Sequence, residues 1–302
     1  MDWLFIAIGS YVLLALSALI DKFLLSGKLD DPKIYAFYIG LLSSAGIILL
    51  PFGFWSYPDP QLFFLGVAAG MAQIYGCFFY LSALKRLEAS RVLPVVGSLI
   101  PIIGFFLTAA VSGGAAVLGQ KELVGFLLLI AGSWLIMARG INFKKRGLGF
   151  IFIAAFLFAL NVVLAKLVYI RLPFLNGFLL TAFGSAAAAV TFLPAQSVRH
   201  AVFESHKAKD RGQPNLLFFF GQAAGGIAFL LQSLAVARAP QASVPVVNAM
   251  AGVQYVFIFI FSSILSFHFP KHFKEKINSS LLVQKLAAIF LIGIGLAIFA
   301  LQ

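Results

Sequence analysis

Charge is the commodity this chain has least of. Only 11% of its 302 residues are Asp, Glu, Lys or Arg, and the acids number just ten, where soluble domains carry roughly a quarter charged residues. Cysteine occurs once, as Cys77 inside an apolar run, so there is no internal disulfide and no thiolate metal set. Histidine occurs four times, at 200, 206, 268 and 272, always outside the apolar runs. Catalysis needs acids, bases or ligands gathered at one place, and no Ser/His/Asp or dicarboxylate set can be assembled here. His268 and His272 stand four apart, but Pro270 between them spoils a helical metal site. An enzyme, a metal site and a cofactor are therefore not expected. A channel lacks support too, since no filter-like loop or ring of charge appears.

What fills the chain instead is apolar: 62% hydrophobic residues, 34 of them Phe, with a mean hydropathy of +1.02. Apolar runs about 20 residues long, without polar alternation, exclude barrel strands and call for membrane-spanning helices. The expected class is all-α, a polytopic membrane protein. Ten spans follow from the runs and their breakers, near 3–25, 33–55, 61–83, 92–112, 122–139, 147–170, 174–195, 215–237, 243–267 and 282–301. The opening "MDW" carries no basic region, so the first run reads as a retained helix and not a cleaved signal. The two longer connections, 196–215 and 268–280, read as solvated loops. The net charge of +12 resides mostly in loops between spans, which marks a membrane side and not a nucleic-acid surface. Eighteen of the 22 Lys and Arg flank the odd-numbered connections, leaving Lys121, Lys166, Arg171 and Arg238 on the other side. The positive-inside rule then places both termini outside.

The two halves resemble one another. "SALIDKFLL" (17–25) in span 1 aligns with "NVVLAKLVY" (161–169) in span 6, pairing Lys22 with Lys166. Leu50-Pro51 matches Leu193-Pro194, "GVAAG" (66–70) matches "GQAAG" (221–225), and "PVV" at 94–96 recurs at 245–247. Five spans per half is an odd number, so residues 1–142 and 143–302 form two repeats of opposite orientation. Such repeats are a transporter signature, with the substrate site at mid-membrane between them. With the passages "YLSALKRLEASRVLPVVGSLIP", "LQSLAVARAPQASVPVV" and "ELVGFLLLIAGSWLI", the chain resembles the ten-helix, EamA-type members of the drug/metabolite transporter superfamily. The resemblance implies a pocket lined by spans 1, 3, 4, 6, 8 and 9, with spans 5 and 10 peripheral. It also implies both termini in the cytoplasm, against the loop charge.

Polar groups at membrane depth are costly, about 2.5–3.5 kcal/mol for a charge at a helix centre. The candidate substrate contacts are Lys166, Asn161, Gln73, Gln222, Asn248, Gln254 and Ser98, with Gln232 a further deep amide. Each amide is either interhelical glue, about 0.6 kcal/mol on average, or a substrate contact. Asp21 and Lys22 are candidates for coupling or gating, Asp21 being the one carboxylate well inside a span. Pro94 and Pro245 occupy first turns or bend their helices, whereas Pro101, about two turns in, is expected to kink span 4. The pairs Gly66/Gly70 and Gly221/Gly225 have the spacing for close helix packing, within the bundle or between two copies. The function expected is a secondary transporter, an exporter or exchanger of a small polar metabolite such as an amino acid, in the plasma (inner) membrane. The partners expected are that solute and the bilayer, with the protein a monomer or homodimer. The alternatives are a carrier of a lipid-linked or amphipathic molecule and a non-transporting membrane scaffold.

Overall fold

The computed structural model describes residues 2–24, 31–52, 58–87, 89–115, 117–137, 147–203, 216–268 and 279–301. Every regular element among them is helical: α1 (Asp2–Leu24), α2 (Pro32–Ser43), α3 (Pro60–Leu84), α4 (Ala89–Val111), α5 (Gln120–Met137), α6 (Leu148–Arg171), α7 (Phe174–Val190), α8 (Gln196–Phe203), α9 (Leu216–Arg238), α10 (Val244–Ala249), α11 (Ala251–His268) and α12 (Ser279–Ala300). Six helical segments are long and apolar enough to cross a membrane, and shorter apolar helices run over Val95–Val111, Phe174–Val190 and Ala223–Arg238. Large apolar side chains are exposed all round the bundle, among them Phe5, Ile48, Phe64, Phe106 and Phe290. So much exposed apolar surface belongs in lipid, where it needs no further cover. The protein is a helical membrane protein.

Local signals set the helix ends. Asp31 and Asp59 cap α2 and α3, accepting from the amides of Lys33 at 2.9 Å and Gln61 at 3.4 Å, each with a proline next in line. The end of α4 is closed by Gly113 and Gly114, both left-handed, with the Gly114 amide donating back to the Ala109 carbonyl.

Span 2 does not hold one helical form. After Ser43 it tightens into a 3-10 stretch over Ser44–Phe52, which contains Pro51. The connection expected as a loop from 196 opens with α8, whose buried Val198 packs in a cluster with Ala36, Phe37 and Phe192. Span 9 carries a one-residue irregularity: α10 ends at Ala249, Met250 keeps helical dihedrals with its amide donating to Val246, and α11 begins at Ala251. Pro245 sits in the first turn of α10, where it does no harm. Pro101 is carried inside a continuous α4.

The most extensive helix pairings are α1 with α9, α3 with α6, α5 with α12 and α3 with α7. Glycine makes the last one possible. A Cβ on Gly70 would land on the Thr181 carbonyl oxygen and 2.6 Å from the Ser185 amide nitrogen; one on Gly66 would meet Leu180. Gly221 and Gly225 lie in the same way against Ile20 and Ser17 of α1. Both glycine pairs thus face neighbours within the chain.

Candidate functional site

A cavity of about 230 Å³ opens between the helices, lined from α3, α4, α6, α7, α9 and α10. Its polar groups are the amides of Gln73, Asn161, Gln232 and Asn248 and the hydroxyls of Tyr169, Thr181 and Ser233. Phe158, Phe229, Ile100 and Val236 complete the walls with apolar surface. No charged side chain lines it among the described residues.

Two of these amides are partly committed to the scaffold. Asn161 is 9% exposed, and its Nδ2 donates to the Ala69 carbonyl at 2.8 Å. That bond ties α6 to α3 and leaves Oδ1 for the cavity. Gln232 Nε2 donates at 3.0 Å to the Tyr11 hydroxyl, which itself donates at 2.8 Å to the Val247 carbonyl. The chain links α9, α1 and α10 and leaves Gln232 Oε1 over. The Tyr169 hydroxyl pairs with Ser233 and Thr181, while Thr181 Oγ1 donates to Phe178 O. Asn248, 8% exposed, stands two residues before Met250, where α10 gives way to α11, and its Nδ2 has no partner. It lies beside Gly104 of α4, where an added Cβ would sit 3.9 Å from Nδ2. Gln73 makes no side-chain hydrogen bond among the described residues.

Of the residues expected at the site, Gln73, Asn161 and Asn248 are brought together, with Gln232 beside them. Lys166 is placed elsewhere. It is 6% exposed and donates from Nζ to the carbonyls of Ala237, at 2.8 Å, and Ala239. Those carbonyls close the C-terminal end of α9, where a cation is favourable. The lysine neighbours the cavity-lining Ala165 without lining the cavity itself. Ser98 donates to Val95 O in its own helix and Gln254 stands on α11; neither is among the lining residues. The side chains of Asp21, Lys22, Gln222 and Pro94 lie outside the described residues, as does the His268–His272 pair. Span 1, expected in the wall, contributes only from behind through Tyr11, and span 7, not expected, supplies Thr181. Spans 5 and 10 stay out of the wall and pack on each other.

The sequence reading missed Thr181, Tyr169 and Ser233. Tyr169 follows Lys166 by three residues and Ser233 follows Gln232 directly, so both were within reach of the same search for polar tips at depth. Thr181 was not. It reaches the cavity because Gly66, Gly70 and Gly184 let α7 approach α3 backbone to backbone.

No family model and no curated protein matches the sequence. Solved structures do: 28 chains resemble this fold. One crystal structure, of a protein described no further, superposes with a TM-score of 0.70 at 18% identity, over 99% of this chain and 96% of that one. The similarity is one of fold over the whole length. The chain shares the architecture of a protein of nearly the same extent, at an identity that speaks only to that architecture.

Proposed function

We propose that the protein is a secondary transporter of a small polar solute, an exporter or exchanger in the plasma (inner) membrane, working by alternating access around this cavity. The observation that carries the reading is a cluster of four amides, Asn161 and Asn248 buried and Gln73 and Gln232 half-buried, around one cavity of a membrane protein. Buried polar groups in lipid are retained for function or for packing, and these amides converge on a cavity.

The cavity is walled from both halves, α3 and α4 on one side and α6, α7, α9 and α10 on the other. Support for two inverted five-span repeats comes from matched contacts. Five residues before Lys22 stands Ser17, and five before Lys166 stands Asn161. Ser17 Oγ donates at 2.9 Å to the Gly221 carbonyl of α9, and Asn161 donates to the Ala69 carbonyl of α3. Each bond ties the first helix of one half to the third of the other. Ten spans in this order, and the EamA-type reading of the "PVV" passages, agree with those ties. Rocking of one half against the other would expose the cavity to each side in turn.

The test is counterflow. Purified protein in liposomes preloaded with a broad metabolite panel is expected to accelerate entry of at least one labelled polar solute. If no member moves, and none raises the thermal stability of the detergent-solubilised protein, the reading is wrong.

A further inference from the structure

The hydrogen-bonding pattern of the cavity selects among polar solutes. Two of its amides are anchored by their NH2 groups, Asn161 on Ala69 and Gln232 on Tyr11. What each has left for a solute is a carbonyl oxygen, an acceptor. The other two, Gln73 and Asn248, have no committed donor. The terminal torsion of an Asn amide is broad, so Asn248 can turn its unpartnered Nδ2 from Gly104 into the cavity when an acceptor arrives there.

Charge is poorly served by the described lining residues. An anion would face the oxygens of Asn161 and Gln232 with only neutral amide and hydroxyl donors to offset them. The cation nearest in sequence to the lining, Lys166, is bonded to the Ala237 and Ala239 carbonyls. A cation would find no carboxylate among the described lining residues. A zwitterion meets both difficulties, and in a low-dielectric site each unpaired charge is expensive. Phe158, Tyr169 and Phe229 supply ring surface. The volume, about 230 Å³, is at the small end for ligand pockets and has room for a small ring.

We infer that the cavity takes an uncharged, flat, amide-bearing ring. Its N–H groups would donate to Asn161 Oδ1 and Gln232 Oε1, and its carbonyl would accept from Asn248 or Gln73. The assignment rests on the transporter reading and narrows it from polar solutes at large to lactams and ring carboxamides.

The probes are uracil and nicotinamide, against alanine as zwitterion and benzoate as flat anion, each labelled and offered to proteoliposomes of the full chain. Uracil or nicotinamide is expected to enter by counterflow and to raise thermal stability, and alanine and benzoate to do neither. Asn248→Ala is expected to lower uptake of the accepted ring about tenfold, the equivalent of 1.4 kcal/mol, because it removes a donor that holds nothing else. Gln73→Met serves the same purpose should Asn248→Ala fail to fold. Entry of alanine or benzoate with exclusion of both rings overturns the uncharged-ring assignment and leaves the transporter reading standing. Unchanged ring uptake in a folded Asn248→Ala or Gln73→Met protein also overturns it. Failure of every probe and of the broad panel overturns both.

Discussion

At the scale of single residues, Lys166 and Asp31 are two ionisable groups that serve the scaffold. Lys166 illustrates this: a paired lysine at matching depth in both halves suggested an anion anchor or a gate lock, and its ammonium is spent on two carbonyls that end α9. The contact holds α9, which carries Gln232 and Ser233, against α6, which carries Asn161 and Tyr169. Lys166→Met should therefore destabilise the protein by about 1–3 kcal/mol, the range for losing a charged partner of buried acceptors. Chemical denaturation in detergent would show it, and an unchanged midpoint would mean that water satisfies those carbonyls equally well. Asp31 shows the same economy at the membrane edge. Burial pushes its carboxyl up, but hydrogen bonds from Ser197 and the Lys33 amide, with the charges of Lys33 and Lys85, outweigh it and hold the group below the usual carboxylate range. A group depressed in the folded state stabilises fully above its unfolded value and ceases to do so as pH falls through the folded one. Asp31→Ala should lower stability by about 1 kcal/mol at neutral pH, as for other N-caps. The gap between wild type and variant should close below about pH 4.

At the scale of elements, close approach decides where polar groups meet. The spacing of Gly66/Gly70 and Gly221/Gly225 announced helix contacts, but each pair meets a different neighbour. The first faces α7, and the second faces α1. Sequence likeness between the halves thus did not reveal which helix each pair would meet. Gly70→Ala should displace α7 from α3, costing on the order of 1–3 kcal/mol through overpacking, and should weaken binding at the cavity through Thr181. Gly226, where an added Cβ meets nothing within 4 Å, is the control. Gly226→Ala should be neutral or slightly stabilising, since alanine is the better helix former. Comparable melting curves for the two variants would refute this account of the α3–α7 contact. Most helices could be read from apolar run length, because in lipid a span must satisfy its own backbone. The one-residue irregularity after α10 could not, because no proline or glycine stands at Ala249–Met250 and Met250 is fully buried by packing.

At the scale of the whole molecule, topology is the open quantity with a direct test. The loop charge predicts both termini outside, so a reporter fused to the C-terminus that works only outside the cytoplasm should be active. Activity of a cytoplasm-only reporter at the same position would favour the orientation implied by the EamA-type resemblance instead. What the residues alone determined is the solvent of this protein and the list of groups available to it. Eleven per cent charge leaves lipid as the one environment in which the chain can fold, and the deep amides are few enough to name. What only the tertiary structure decided is which of those groups share a cavity. Gln73, Asn161, Gln232 and Asn248 converge, while Lys166, Ser98 and Gln254 do not. The difference lies in helix rotation and in helix separation, and both are set by contacts between residues far apart in sequence. A polar side chain at a given depth can point toward a neighbour's backbone or into a gap, and hydropathy along one helix carries no information about which.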